Sequence, residues 1–327
     1  MKRLFSILLA ITMIAMISCK KDKDKEENDL MDVIVFMNYV YQDEGVYIDI
    51  CAVSPDDSRK VTLLPWNTNC TGSCEGEAPF WFKQPQLSPD GTKLLVNDDD
   101  NFNIFEYNLV SKTMRAIYSE EDYNAETPVY NHDGTKITFF NRSDFELQTV
   151  NIDGSGKFPY LVEDEKSLVY PSYTPDGSKL VVKSWEYDIL SVMNSDGSEY
   201  SRIIEATKDQ KLFHPKAISN SQLIYVLKET KNAICVASLD GTEIKKVYES
   251  TDDLSVPSLS SSGEKICFMI GDNENARFYV GDFDGSRVTG LQKLQFQARV
   301  HRPSFGKIKK SIFDAAPDMD DVAPPQE

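Results

Sequence analysis

The sequence predicts an all-β chain folded as a six-bladed β-propeller, from two repeating markers and one mismatch between the chain ends. Six prolines, Pro85, Pro128, Pro171, Pro215, Pro257 and Pro303, recur at intervals of 43, 43, 44, 42 and 46 residues. A second series of Asp-Gly pairs, at Asp153, Asp196, Asp240 and Asp284, keeps step at 43, 44 and 44. A fixed period of this length marks a repeat architecture, and four strands per period mark a propeller blade. The mismatch gives the count. Residues 33–65 supply the last three strands of a blade with no proline-led first strand, and the Pro303 copy supplies a first strand with nothing after it.

The third copy shows the unit. Residues 171–174 form a short first strand, and Asp176-Gly177 turns the chain. Residues 179–185 and 188–193 are β-rich runs, Asp196-Gly197 turns again, and residues 201–206 close the blade. Asp-Gly between such runs is a hairpin signal, and the expected turn is type I′, with positive φ at both central residues. The matching second strands elsewhere cover 33–38, 94–97, 137–141, 223–227 and 266–270. Nothing after the first 18 residues carries a helical period. Residues 301–305 are expected to complete the first blade, because an open ring would leave two sheet edges unpaired.

The stretch Ser-Pro-Asp-Gly-Thr-Lys-Leu followed by Ile-Phe-Glu-Tyr-Asn-Leu at 88–109, with its echoes as far as 278–287, resembles the repeat of TolB-like six-bladed propellers. The resemblance covers residues 33–313. It implies the fold and leaves the function open, since such repeats serve peptidase gating domains, oligogalacturonate lyases and pure scaffolds.

At the N-terminus, Met1-Lys-Arg precedes a 14-residue apolar run at 4–17 that is broken only by Ser6 and Thr12. That run suits a signal-peptide core and is short for a membrane span. It ends at Cys19, before a charged stretch, and so resembles the lipoprotein signals of Bacteroidetes. The resemblance implies cleavage before Cys19, acylation of Cys19, and an outer-membrane lipoprotein on the periplasmic side or at the cell surface. The expected organisation is a signal peptide (1–18), a charged tether (19–32), the propeller (33–313) and a disordered acidic, Pro-rich tail (314–327).

With 35 basic and 52 acidic side chains, the net charge of −17 offers no footprint for nucleic acid. The membrane is expected to be met through the lipid alone, by a monomeric propeller. Cys70 and Cys74 lie in a Gly-rich insertion of a chain addressed to an oxidising compartment, which predicts a local disulfide. The rival, a metal site, lacks a nearby His or second cysteine pair. Cys51, Cys235 and Cys267 fall inside strands and read as small buried hydrophobes.

The three histidines accompany no Gly-x-Ser-x-Gly, His-Glu-x-x-His or phosphate loop. No catalytic residue, cofactor or metal is expected. In a propeller the first strands line the central channel, so the residues before each proline form a ring at its mouth: Gln84, Thr127, Tyr170, His214, Val256 and Arg302. Oligogalacturonate lyases hold a metal with histidines near such a mouth. Here only His214 lies in the ring, with His301 one step outside it. All three tryptophans map to the same face, Trp66 and Trp81 in the insertion between blades one and two and Trp185 at the end of a second strand. The acidic residues at 43–44, 98–100, 186, 188, 272 and 274 lie there too. Aromatic platforms beside carboxylates suit a neutral or basic ligand, unless the insertion plugs the channel. The expected function is a lipid-anchored scaffold or protein-binding module of the cell envelope. The alternatives are a glycan-binding protein and, behind it, a metal-dependent lyase.

Overall fold

The computed structural model describes residues 29–42, 45–68, 82–98, 103–118, 125–162, 167–271, 276–297 and 299–320. These form six four-stranded antiparallel sheets in a ring. Five follow chain order, over residues 82–118, 125–160, 168–205, 211–250 and 254–293. Blade one is composite. Its innermost strand, Val300–Lys309, pairs with Leu30–Gln42, followed by Gly45–Val53 and Lys60–Leu64. The ring therefore closes through the C-terminal strand.

Position in the blade decides burial. The second strand of blade five, Gln222–Lys228, is buried at five consecutive residues, because a middle strand is covered by the neighbouring blade on each face. The fourth strands are outer edges, and most carry charge, as in Ile244–Ser250 with Lys245 and Lys246, which discourages pairing with other chains. One apolar cluster seals the closure. Ile34, Phe36 and Val53 of blade one meet Cys267, Phe278 and Val280 of blade six beneath Val300 and Phe305 of the closing strand.

The Asp-Gly turns differ from expectation. At residues 88–91, Gly91 N–H donates to Ser88 O at 2.9 Å, and only the glycine has positive φ, at 67°. None of the turn aspartates lies in that region. Asp90 instead accepts from the Ser88 hydroxyl and from the backbone and hydroxyl of Thr92. Those bonds hold its carboxyl below the usual range despite partial burial. The Ser/Thr-x-Asp-Gly-Ser/Thr run thus makes a wider loop ended by a left-handed glycine, not a type I′ pair. Gly91 is also pinned between blades, since a Cβ there would fall 2.9 Å from Lys309 N.

The ends are more structured than the sequence suggests. Strand pairing starts at Leu30, inside the predicted tether, and Asp32 accepts from the Ser261 backbone and hydroxyl of blade six. The closing strand leads into a helix, α1 (Lys310–Ala315), that buries Ile312 and Phe313. The predicted tail then runs along blade one. Thr62 N–H donates to Pro317 O, Met319 N–H to Lys60 O, and Asn38 Nδ2 to Asp320 O. Backbone groups of an otherwise open edge are satisfied there, which corrects the expectation of disorder for 314–320. Cys19, Cys70, Cys74 and Trp81 lie outside the described residues, while Cys51, Cys235 and Cys267 are buried in their strands.

Candidate functional site

Every blade departs from regular pairing at the same place. The first strand loses register beside its proline, as between Lys83 and Gln86 or between Phe213 and Lys216. Proline has no N–H to contribute to the ladder, so a bulge there leaves no donor stranded. The residue before each proline is left-handed: Gln84, Thr127, Tyr170, His214, Val256 and Arg302 have φ of 52°, 54°, 53°, 50°, 47° and 52°. Thr127 and Val256 are β-branched, for which this region is strained, and six repeats of one strained geometry mean that the ring imposes it.

The result is a channel of two layers. The six left-handed residues, the buried prolines and the residues behind them surround a cavity of about 150 Å³. Two ring members reach sideways. Gln84 Oε1 accepts from Thr127 N–H, and His214 Nδ1 accepts from Val256 N–H at 3.4 Å, each tying one blade to the next. Tyr170 sits edge-on to His214 at 5.6 Å between ring centres. Thr127 Oγ1 is buried with no hydrogen-bond partner among the described residues, and Arg302 is exposed at the rim.

Both mouth histidines are held neutral. Burial, then the positive charges of Arg302, Lys228 and Lys183, push His214 down to about 3. Burial, with Arg299 and Arg302, pushes His301 down to about 4. His301 Nε2 accepts from Arg299 Nε at 3.1 Å. Each ring therefore uses its single lone pair on a protein N–H, and its other nitrogen carries the proton. No group of three His, Cys, Asp or Glu among the described residues is placed to hold a metal.

The tryptophans separate. Trp66 is partly buried, its ring stacked on Tyr47 at 4.2 Å, and its backbone N–H donates to Asp49 Oδ1 at 2.7 Å. Trp185 is 57% exposed, and the same turn carries Tyr187, 56% exposed. The equivalent turn of blade three presents Phe145, also 57% exposed, which the sequence reading missed. Ser167 joins the two turns, donating its N–H to Phe145 O and accepting from Trp185 N–H at 3.0 Å each. Of the acidic residues expected at the mouth, Asp43, Glu44, Asp99, Asp100, Asp272 and Glu274 lie outside the described residues. Glu186 is exposed, Asp98 is buried and Asp188 is paired with Lys183 at 3.2 Å. Among the described residues the cavity lining holds no carboxylate. It does hold Lys216, the one charged member of the layer behind the prolines. That residue was legible in principle, since the positions after each proline read Gln86, Val129, Ser172, Lys216, Ser258 and Ser304.

No protein-family model matches the chain, and no curated protein matches it. Solved structures do. TolB from Acinetobacter baumannii superposes with a TM-score of 0.65 at 14% identity, over 84% of this chain and 66% of that one, so the chain spans about two thirds of that TolB. A chain of a nidogen/laminin complex gives 0.60 at 12% identity, over 84% and 98%. An oligogalacturonate lyase in complex with manganese gives 0.55 at 18% identity, over 84% and 78%. Likeness at these identities concerns the fold, which is that of a TolB-like six-bladed propeller.

Proposed function

We propose that this protein is a lipid-anchored propeller of the cell envelope that binds a protein partner on its channel-mouth face. The observation carrying the reading is the exposure of Phe145, Trp185 and Tyr187 on adjoining turns of blades three and four. Aromatic side chains exposed together on rigid turns are what interfaces use, because they bury large areas with little entropy to lose. On the opposite face the exposed apolar residues Val110, Phe158 and Ile244 are spread over blades two, three and five. A nidogen/laminin complex among the structural neighbours is consistent with a propeller that works by protein contact. The same exposed rings would suit stacking on a sugar, which keeps glycan binding as the second reading.

The test is capture from envelope extracts by the wild type and by a Trp185→Ala/Tyr187→Ala variant, with Val110→Ala as control. The double variant should lose its partner and keep its melting temperature, since both side chains are more than half exposed. Retained capture would remove these side chains from the account. Loss of glycan binding in the same variant, with no protein partner found, would favour the second reading.

A further inference from the structure

We infer that the central channel is an anion site, built to receive a small carboxylate at Lys216 beneath Arg302. The carboxyl-rich composition of the chain makes the channel unusual. The protein carries 52 acidic residues against 35 basic ones, yet among the described residues no acid lines the channel. Three cations do, at successive depths. Arg302 stands at the mouth, Lys216 borders both the mouth cavity and a second cavity of about 300 Å³ below it, and Lys307 lines the lower cavity. The carboxylate nearest the mouth in sequence, Glu126, is paired with Arg142 at 3.2 Å.

Lys216 is held by neutral partners only, among the described residues. Its ammonium donates to Ser258 Oγ at 2.8 Å and to Ser304 Oγ at 2.7 Å, hydroxyls from two other blades, which hold it across the waist of the channel. Ser258 Oγ is itself fixed by the Phe305 N–H at 3.1 Å. An ammonium has three N–H donors, so one is left for the lumen. No carboxylate pairs with Lys216 or Arg302 among the described residues. A desolvated charge lacking its counter-ion is unfavourable, and burial pulls the Lys216 amine down to about 8. An oxyanion entering from the mouth would supply the missing charge, meet the ammonium N–H and the Arg302 fork, and find across the cavity the Thr127 hydroxyl, which has no partner among the described residues. A mouth cavity of about 150 Å³ suits a molecule of a few heavy atoms. This inference does not rest on the protein-partner reading, because a partner could sit on Phe145, Trp185 and Tyr187 with the channel empty.

The experiment is calorimetric titration of the full mature chain with succinate, acetate and inorganic phosphate, repeated on Lys216→Met and Arg302→Gln. Succinate or acetate should bind the wild type, and each substitution should weaken binding by roughly tenfold or more, the scale of one charge-assisted hydrogen bond. The Lys216 13Cε signal should shift on adding carboxylate to the wild type. Arg302→Gln guards against a folding artefact, since Arg302 is exposed. Failure of both carboxylates to bind in the millimolar range, binding of phosphate alone, or equal affinity in Lys216→Met would overturn the site.

Discussion

Replacing Ile308 by Ala tests how the ring is held shut. Ile308 sits in the closing strand opposite Met31, fully buried, in a cluster with Val33 of blade one, Leu94 of blade two and Phe313 of α1. The substitution removes three carbons, which corresponds to ~2.4 kcal/mol of lost burial at 0.8 per carbon. The cavity left behind raises the total to about 3–4 kcal/mol, within the range found for such truncations. For a protein whose whole stability is on the order of 5–15 kcal/mol, the shift in a urea midpoint is easily measured. Val110→Ala, on a side chain 67% exposed, should move the midpoint by less than about 0.5 kcal/mol. Truncation after Val300 removes Phe305, Ile308, Ile312 and Phe313 together and opens an edge along Leu30–Gln42. That chain should aggregate or lose its cooperative transition. A soluble truncated chain that melts like the full one, or an Ile308→Ala midpoint equal to that of Val110→Ala, would mean that the ring does not depend on this strand.

Three further outcomes follow from the same structure. Truncation after Ala316 removes the contacts of Pro317, Met319 and Asp320, three hydrogen bonds worth ~1 kcal/mol each, whereas truncation after Asp320 should leave the melting temperature unchanged; identical melts for both would detach the tail from blade one. Asp49 is pushed up to about 6, mainly by burial and further by Asp320, while the Trp66 N–H opposes the shift. An acid with a raised folded pKa destabilises the folded state at high pH and is relieved as pH falls. Asp49→Asn should therefore stabilise the protein at pH 7 by up to ~3 kcal/mol, and the gain should vanish between pH 6 and 4. A variant no more stable than the wild type at pH 7 contradicts this. Cys19→Ala should abolish palmitate labelling and release the protein from the membrane fraction; a variant that still labels and pellets rules out the lipid anchor.

The repeat was legible because proline and Asp-Gly each mark a backbone event that few other residues can produce, and both recur in step. Blade order and closure followed from the unmatched strands at the two ends. The left-handed ring was not legible. Gln, Thr, Tyr, His, Val and Arg share no preference for positive φ, and only the bulge forced by the following proline puts them there. The turn type was misread because Asp-Gly suggests a two-residue hairpin, whereas the flanking Ser and Thr hydroxyls clamp the aspartate and widen the loop. The tail reads as disordered by composition, yet the uncapped outer edge of blade one offers it backbone partners that no local pattern reveals. Phe145, Tyr187 and Lys216 were passed over for different reasons. Phe145 is a lone aromatic in a polar turn, Tyr187 stands behind Trp185 in its own turn, and Lys216 matters only because five other blades place neutral residues at its level.

The most direct test of the central claim, that the mouth face is the working face, is photo-crosslinking in intact cells. A photoreactive phenylalanine analogue would replace Trp185 or Phe145 on that face, and Ile244 or Val110 on the other, all four sites being more than half exposed. The account predicts a discrete adduct with one envelope protein from positions 185 and 145 and none from 244 and 110. Adducts from 244 or 110, with 185 and 145 silent, would contradict it.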